Sequence, residues 1–300
     1  MAKTIVVNEE HASRKALCLY STKTGKARIR KHLDEIIARL KACFLTLDVF
    51  EMPSMEEGQE KAKQSCGVYD VLIVFGGDGT MRNIIQAIVC EKEKPILGYI
   101  NGGTMSDFGT NFGIKGSHKH ALRIIEEGHI KEMDVGKVND QYFGYVAAVG
   151  AYADIPYVVK RKYKKRIGSL AYYVKAVQEG FVPKKIKGVL RYDDKEIPFK
   201  TPFLLCLSGK KVGGFHVSPK SKIDDGKLEL YVTKPGIFNG LLHYLFFKMR
   251  TTCYISNHFS IEIDYKDPWD LDGEAGPIGS VEISCLPKAL KIFCLGKIAD

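Results

Sequence analysis

The first third of the chain alternates between two hydrophobic periods. KALCLY (15–20), FLTLDVF (44–50), VLIVF (71–75) and PILGYI (95–100) are short, nearly continuous apolar runs, the pattern of strands buried on both faces of a parallel sheet. Between them the spacing is helical. Ile29, Leu33, Ile36, Ile37 and Leu40 recur at three- and four-residue intervals, and SMEEGQEKAKQS (54–65) is a polar helix. Met81, Ile84, Ile85, Ile88 and Val89 predict a helix that begins at or just after Thr80. Ser117 is placed to cap a further helix that ends near Glu127. This alternation predicts an α/β domain built on a parallel sheet.

The pattern changes near Asp134. VGKVNDQYFGYVAAV, VLRYDDKEIPF and KLELYVT predict short strands joined by turns such as Asn139-Asp140 and Asp193-Asp194. Helical patterns interrupt them from Ser169 to Glu179 and from Phe238 to Met249. Short strands with hairpin turns predict an antiparallel β-sandwich. The expected organisation is therefore an α/β domain over 1–134 and a β-sandwich domain over 135–287. The last strand, ALKIFCL (289–295), within the segment 288–300, is free to return to either.

Composition narrows the class. A chain of 300 residues that is 45% hydrophobic can bury a large core and divide into about two domains. The N-terminal stretch lacks a signal pattern, and no apolar run approaches the roughly 18 residues needed to span a bilayer, so a cytoplasmic protein is expected. The eight cysteines are scattered without a C-x-x-C pair, which suggests reduced core thiols. A net charge of +10 suits an anionic partner, whether nucleotide, nucleic acid or acidic membrane.

Candidate chemistry begins with VFGGDGTMRNII (75–86), in which Gly76, Gly77, Asp78, Gly79 and Thr80 lie between an apolar strand and a helix. Such a turn at the carboxyl end of a parallel sheet is where open α/β folds bind ligands. Glycines let backbone amides approach an anion, and the helix aims its free N–H groups at the same place. Phosphate is the natural guest. Asp78 would be an awkward neighbour for it, so the carboxylate is expected to orient a loop amide or a water, or to face a magnesium ion. NGGTMSDFGTNFGI (101–114) repeats the chemistry one strand on, with Gly103 and Thr104, and STKTGK (21–26) offers Ser21, Thr22, Thr24, Gly25 and Lys26 after the first strand. The spacing fits neither a Walker loop nor a dinucleotide fingerprint.

In the second half, LDGEAGP (271–277) supplies two carboxylates around a glycine, and KIDDGKLEL (222–230) places Asp224 and Asp225 in a turn. KRKYKKR (160–166) sets six basic residues among seven positions. Such a cluster either is a solvated face or attracts anionic headgroups. No aromatic-interleaved basic groove accompanies it, so nucleic acid is not the expected partner.

GGDGT with its apolar helix, the G-T-x-x-D-F loop, VGGF (212–215), SPKSKIDDGKLEL (218–230) and LDGE (271–274), in this order, resemble the diacylglycerol kinase catalytic family, which includes bacterial lipid kinases and sphingosine kinases. The likeness runs from about residue 15 to 295, and IGSLAYYVKAV (167–177) is most similar to the soluble bacterial diacylglycerol kinases. The resemblance implies a nucleotide-binding first domain, a β-sandwich second domain, and ATP-dependent phosphorylation of a lipid hydroxyl, diacylglycerol or a related lipid, in the cleft between them. It implies that Asp272 or Glu274 is the general base and that Asp225 is a structural magnesium ligand. It also implies peripheral association with an anionic membrane surface, and it is compatible with a homodimer. The chain departs from the family pattern at Ser21-Thr22, where Asn-Pro is usual, at Asn83, where an acid is common, and at Asn101 and Ser106. Two alternatives stand beside the lipid kinase: a nicotinamide-nucleotide kinase, whose relatives share GGDGT, and an inactive nucleotide-binding regulator.

Overall fold

The computed structural model describes residues 11–21, 26–103, 106–150, 185–212, 215–218, 221–234, 251–296 and 298. After a short 3-10 turn, His11–Ser13, the chain runs through β1 (Lys15–Tyr20), α1 (Lys26–Cys43), β2 (Thr46–Glu51), α2 (Met55–Ser65), β3 (Val71–Gly76), α3 (Asp78–Ile88) and β4 (Ile96–Asn101). Two helices follow, α4 (Asp107–Asn111) and α5 (His118–Glu127). Then come β5 (Ile130–Val138), β6 (Gln141–Phe143), β7 (Val146–Gly150), β8 (Ile186–Tyr192), β9 (Lys195–Thr201) and β10 (Phe203–Leu207). A two-residue pair, β11 (Lys211–Val212) and β12 (Phe215–His216), precedes β13 (Leu228–Thr233), β14 (Thr251–Ser256), β15 (His258–Ile263), β16 (Pro268–Leu271), β17 (Glu274–Ile278) and β18 (Val281–Phe293).

The chain divides into two compact units. One holds residues 1–133, 211–217 and 288–300, the other 134–210 and 218–287. In the first, strands run in the order β2-β1-β3-β4-β18, and every pairing is parallel. Residues of β1 and β3 are buried on both faces, as their apolar runs require. The second strand differs from its neighbours. FLTLDVF reads as a buried strand, but β2 lies at the sheet edge, where most of its residues face solvent. On α3, Met81, Ile84, Ile85 and Ile88 are fully buried, each aliphatic side chain contributing about 1.5–3 kcal/mol relative to exposure. α5 lays Ile125 over Gly98 of β4, where an added methyl would meet it at 3.4 Å. Arg39 of α1 grips Glu126 of α5 through two hydrogen bonds of 2.8 and 2.6 Å.

The second unit is antiparallel. One sheet has the order β14-β13-β10-β7-β16-β17, and β15 pairs with β8 and with the first residues of β18, while β8 pairs with β9. Their inner faces share a core that includes Ala147, Leu190, Leu204, Cys206, Leu230, Phe259, Trp269 and Ile283. Trp269 is fully buried and donates its indole N–H to the Gly279 carbonyl at 3.0 Å, the partner a buried indole needs. β8 and β9 are joined by Asp193 and Asp194, both at positive φ (45° and 60°), the geometry of a two-residue hairpin turn. The two helical patterns expected at 169–179 and 238–249 lie outside the described residues. No helix among the described residues is long and apolar enough to cross a membrane.

Candidate functional site

β1 leads to β2 on one side of the first sheet and β3 leads to β4 on the other. The chain therefore reverses direction between β1 and β3, the switch point at which open parallel sheets bind ligands. Tyr20 pairs with Phe75, so the next residues, Ser21 and Gly76, sit side by side at that edge. Ser21 is buried.

The helix after β3 begins at Asp78, two residues earlier than its apolar spacing predicts, with Gly77 at the N-cap position. Gly79 conceals this start in the sequence, because glycine is a poor helix former. Asp78, Gly79 and Thr80 thus form the first turn, whose N–H groups have no intrahelical acceptor. Each glycine here has a different reason. A methyl on Gly76 would meet the Thr80 side chain at 2.7–2.8 Å, so Gly76 exists to let Thr80 pack beneath it. A methyl on Gly77 would meet only the Cα of Gly103, at 3.8 Å, and its φ of −91° suits any residue. Gly77 is therefore not demanded from inside the protein. It keeps the outer side of the backbone open.

Asp78 turns inward to the second loop. Its Oδ2 accepts the Asp107 N–H at 3.0 Å and its Oδ1 accepts the Tyr99 hydroxyl at 2.9 Å. Of the roles expected for this carboxylate, orienting a loop amide is the one the geometry displays. Burial first, then the Asp78 charge, pushes the Tyr99 hydroxyl well above its usual range and keeps it a donor. Gly102 N–H donates to the Gly76 carbonyl at 2.8 Å, and Asn101 Oδ1 accepts the Gly103 N–H at 2.8 Å. The two glycine loops are thereby fastened together at adjacent strand ends. Sequence reasoning did not single out Tyr99; a lone phenol in an aliphatic strand was the available signal. Asn83 donates to the Gly79 carbonyl at 2.7 Å, so in place of an acid it supports the same helical turn. Thr22, Thr24, Gly25 and Thr104 lie outside the described residues.

In the second unit, Leu271 pairs with Glu274, and the intervening Asp272 and Gly273 have φ of 52° and 86°. LDGE is thus a two-residue hairpin turn of the kind Asp-Gly favours. The two carboxylates do different work. Asp272 is buried and accepts three backbone N–H groups, from Gly144, from Tyr145 at 3.1 Å and from Val146 at 2.9 Å. Glu274 is half-exposed at the first position of β17.

A second acidic group lies in the same unit. Asp134 is buried and accepts the Gly226 N–H at 2.7 Å, while Asp225 is exposed and accepts the Lys227 N–H at 3.1 Å. Burial, then the Asp134 and Asp225 charges, push the Cys285 thiol up to about 12, so both carboxylates act on one thiol. The engagement of Asp134 with this turn is not legible in the sequence, because its partner is 92 positions away. The basic run 160–166 lies outside the described residues.

Residues 15–138 match the family model described as the diacylglycerol kinase catalytic domain. A Staphylococcus saprophyticus protein named diacylglycerol kinase is 29% identical over 234 residues, which are 77% of this chain and 77% of that protein. Its Staphylococcus aureus counterpart is 28% identical, covering 77% of this chain and 74% of its own length. A crystal structure described as a diacylglycerol kinase from Bacillus anthracis superposes with a TM-score of 0.81 at 22% identity, covering 95% of this chain and 98% of the other; that likeness carries the fold. GGDGT at the sheet switch point lies within the matched segment, so over residues 15–138 the chain is similar to the diacylglycerol kinase catalytic domain, and over 77% of its length to a protein named diacylglycerol kinase.

Proposed function

We propose that the protein is an ATP-dependent lipid kinase that transfers the γ-phosphate of ATP to a lipid hydroxyl, diacylglycerol or a close relative. The observation that carries this reading is the open backbone at Gly77. It is flanked by the first turn of α3 and by a second glycine loop that Asp78 and Asn101 hold in place. Preset amides with no side chain in front of them are what a polyphosphate requires, since reorganisation at the moment of reaction is then small. Ser21, Gly76, Gly77, Gly79, Thr80 and Gly103 would line the donor phosphates. Thr22, Thr24, Gly25 and Thr104 belong to the same proposal through the sequence alone.

Glu274 is assigned as the general base that takes the proton from the lipid hydroxyl, and Asp272 as the positioning residue that fixes the hairpin bearing it. A carboxylate whose oxygens already accept three N–H groups is a poor proton acceptor. Asp225, with Asp134, offers hard oxygen donors of the kind magnesium takes, so the residues present fit that ion. A magnesium ion held there by Asp134 and Asp225 would supply positive charge and rigidity to this loop. The family names of the relatives support lipid as acceptor, and the basic run 160–166 supports docking at an anionic membrane surface.

The test is transfer of labelled phosphate from ATP, with magnesium, to a panel of diacylglycerol, sphingosine, phosphatidylglycerol and NAD in mixed micelles. Label on diacylglycerol or another lipid is the expected result. Label on NAD alone, or nucleotide binding with no acceptor on the panel, overturns the reading.

A further inference from the structure

We infer that α1 and α5 carry a divalent transition-metal site, suited to zinc, formed by His32, Glu35 and His118. His32 and Glu35 lie three positions apart on α1 and so share one face of the helix. His118 opens α5. Glu35 Oε2 is 3.3 Å from His118 Nε2 and 3.8 Å from His32 Nδ1, and the three donor atoms all lie within 4.8 Å of one another. Zinc binds imidazole and carboxylate at about 2.0–2.2 Å in a tetrahedron, whose donor-to-donor edge is then about 3.3 Å. One edge of the group already has that length.

Two further features suit the site. Glu35 directs one oxygen at the two imidazoles, while its other oxygen meets Lys119 Nζ at 3.7 Å, the outer-shell support that ligating carboxylates usually have. The imidazoles stack with centroids 4.1 Å apart and planes 26° apart. Stacked rings point their in-plane lone pairs nearly side by side, so one ring must turn about its Cβ–Cγ bond to close the tetrahedron. The side chain of His32 is 28% exposed, which leaves it room to do so.

Two imidazoles and a carboxylate, with water in the fourth position, are a set that zinc takes in preference to magnesium or calcium. The site would pin α1 to α5 one turn from the Arg39–Glu126 pair that already joins them. It is separate from every residue assigned above to phosphate or lipid, and it stands whether or not the chain is a kinase.

The test is a zinc titration by calorimetry of chelator-stripped full-length protein in excess magnesium, paired with thermal unfolding. The wild type is expected to bind one zinc and to gain thermal midpoint with it. The H32A/H118A double variant should bind zinc at least about 100-fold more weakly, since even outer-shell losses cost about 10–100-fold, and its midpoint should not respond. Glu35→Gln, which keeps shape, should weaken binding with an unchanged metal-free midpoint, so misfolding of the double variant does not decide the outcome. A Cys90→Ser/Cys253→Ser variant should bind as the wild type does. Zinc binding that survives in both His and Glu variants, or that disappears with the exposed cysteines, overturns the assignment.

Discussion

Asp272 and Val146 hold each other twice: the Val146 N–H donates to Asp272 Oδ1 at 2.9 Å, and the Asp272 N–H donates to the Val146 carbonyl at 3.0 Å. A reciprocal pair of this kind fixes the turn between β16 and β17 to the start of β7, and with it the position of Glu274. The proposed division of labour between the two acids of LDGE rests on it.

Glu274→Gln should lower kcat for lipid phosphorylation by about 10²-fold or more, with unfolding and ATP affinity unchanged. Asp272→Asn should also slow turnover, but it should lose about 1–3 kcal/mol of stability as well, because an amide cannot accept all three N–H groups. Denaturant unfolding run beside the kinetics separates the two. Normal turnover in Glu274→Gln would move the base elsewhere.

The two glycines before α3 should respond in opposite ways. Gly76→Ala forces a methyl into the stiff, β-branched Thr80 side chain and should cost about 1–3 kcal/mol by overpacking. Gly77→Ala should leave stability near wild type, since its methyl meets nothing closer than the Gly103 Cα at 3.8 Å, and it should weaken nucleotide binding, since that methyl would stand between the two glycine loops where the phosphates are proposed to lie. Paired thermal melts and nucleotide titrations check this. Wild-type nucleotide affinity in Gly77→Ala would remove the phosphate cradle.

Asp78→Ala deletes the acceptor for a buried hydroxyl and for the amide that opens α4. The expected loss is about 1–3 kcal/mol, with faster hydrogen exchange at Asp107 and Gly103. A variant as stable as the wild type, with unchanged exchange there, would return Asp78 to a role outside the loop framework.

Cys285 is a built-in reporter of the acidic loop. Its thiol is held up to about 12 by burial and then by Asp134 and Asp225, and only the thiolate alkylates. Removing one of those charges with Asp225→Asn should lower the thiol pKa and speed iodoacetamide labelling at pH 8–9. Magnesium should speed it in the wild type and less in Asp225→Asn, if these carboxylates hold the ion. A rate insensitive to both would leave Asp225 as a turn residue.

Much of the scaffold was legible because local pattern determined it. The apolar runs of β1, β3 and β4 and the 3.6-residue spacing of α3 need no distant partner to be recognised. What escaped was context. β2 carries the same apolar run as its neighbours, and only its place in the sheet order exposes it. α4 reads as loop because Gly109 interrupts five residues. Asp272 reads as one of two equivalent candidate bases, and the three N–H groups it accepts, 126 to 128 positions earlier, come into view only with the fold. Asp-Gly announces a hairpin locally, whereas the carboxylate's engagement is a property of the fold.

β18 serves two cores in succession: Val281 and Ile283 are buried in the second unit, while Leu290, Ile292 and Phe293 are buried in the first, where Ile292 pairs with Leu97. The ribosome therefore delivers the fifth strand of the first sheet only after the whole second unit has been made. Most of the first unit emerges early yet cannot finish early, and until its last strand arrives β4 presents an open edge of the kind that recruits wrong partners. Birth order and completion order are inverted in this chain, and a nascent polypeptide stalled at residue 287 should hold a ligand-competent loop framework on an unsealed sheet.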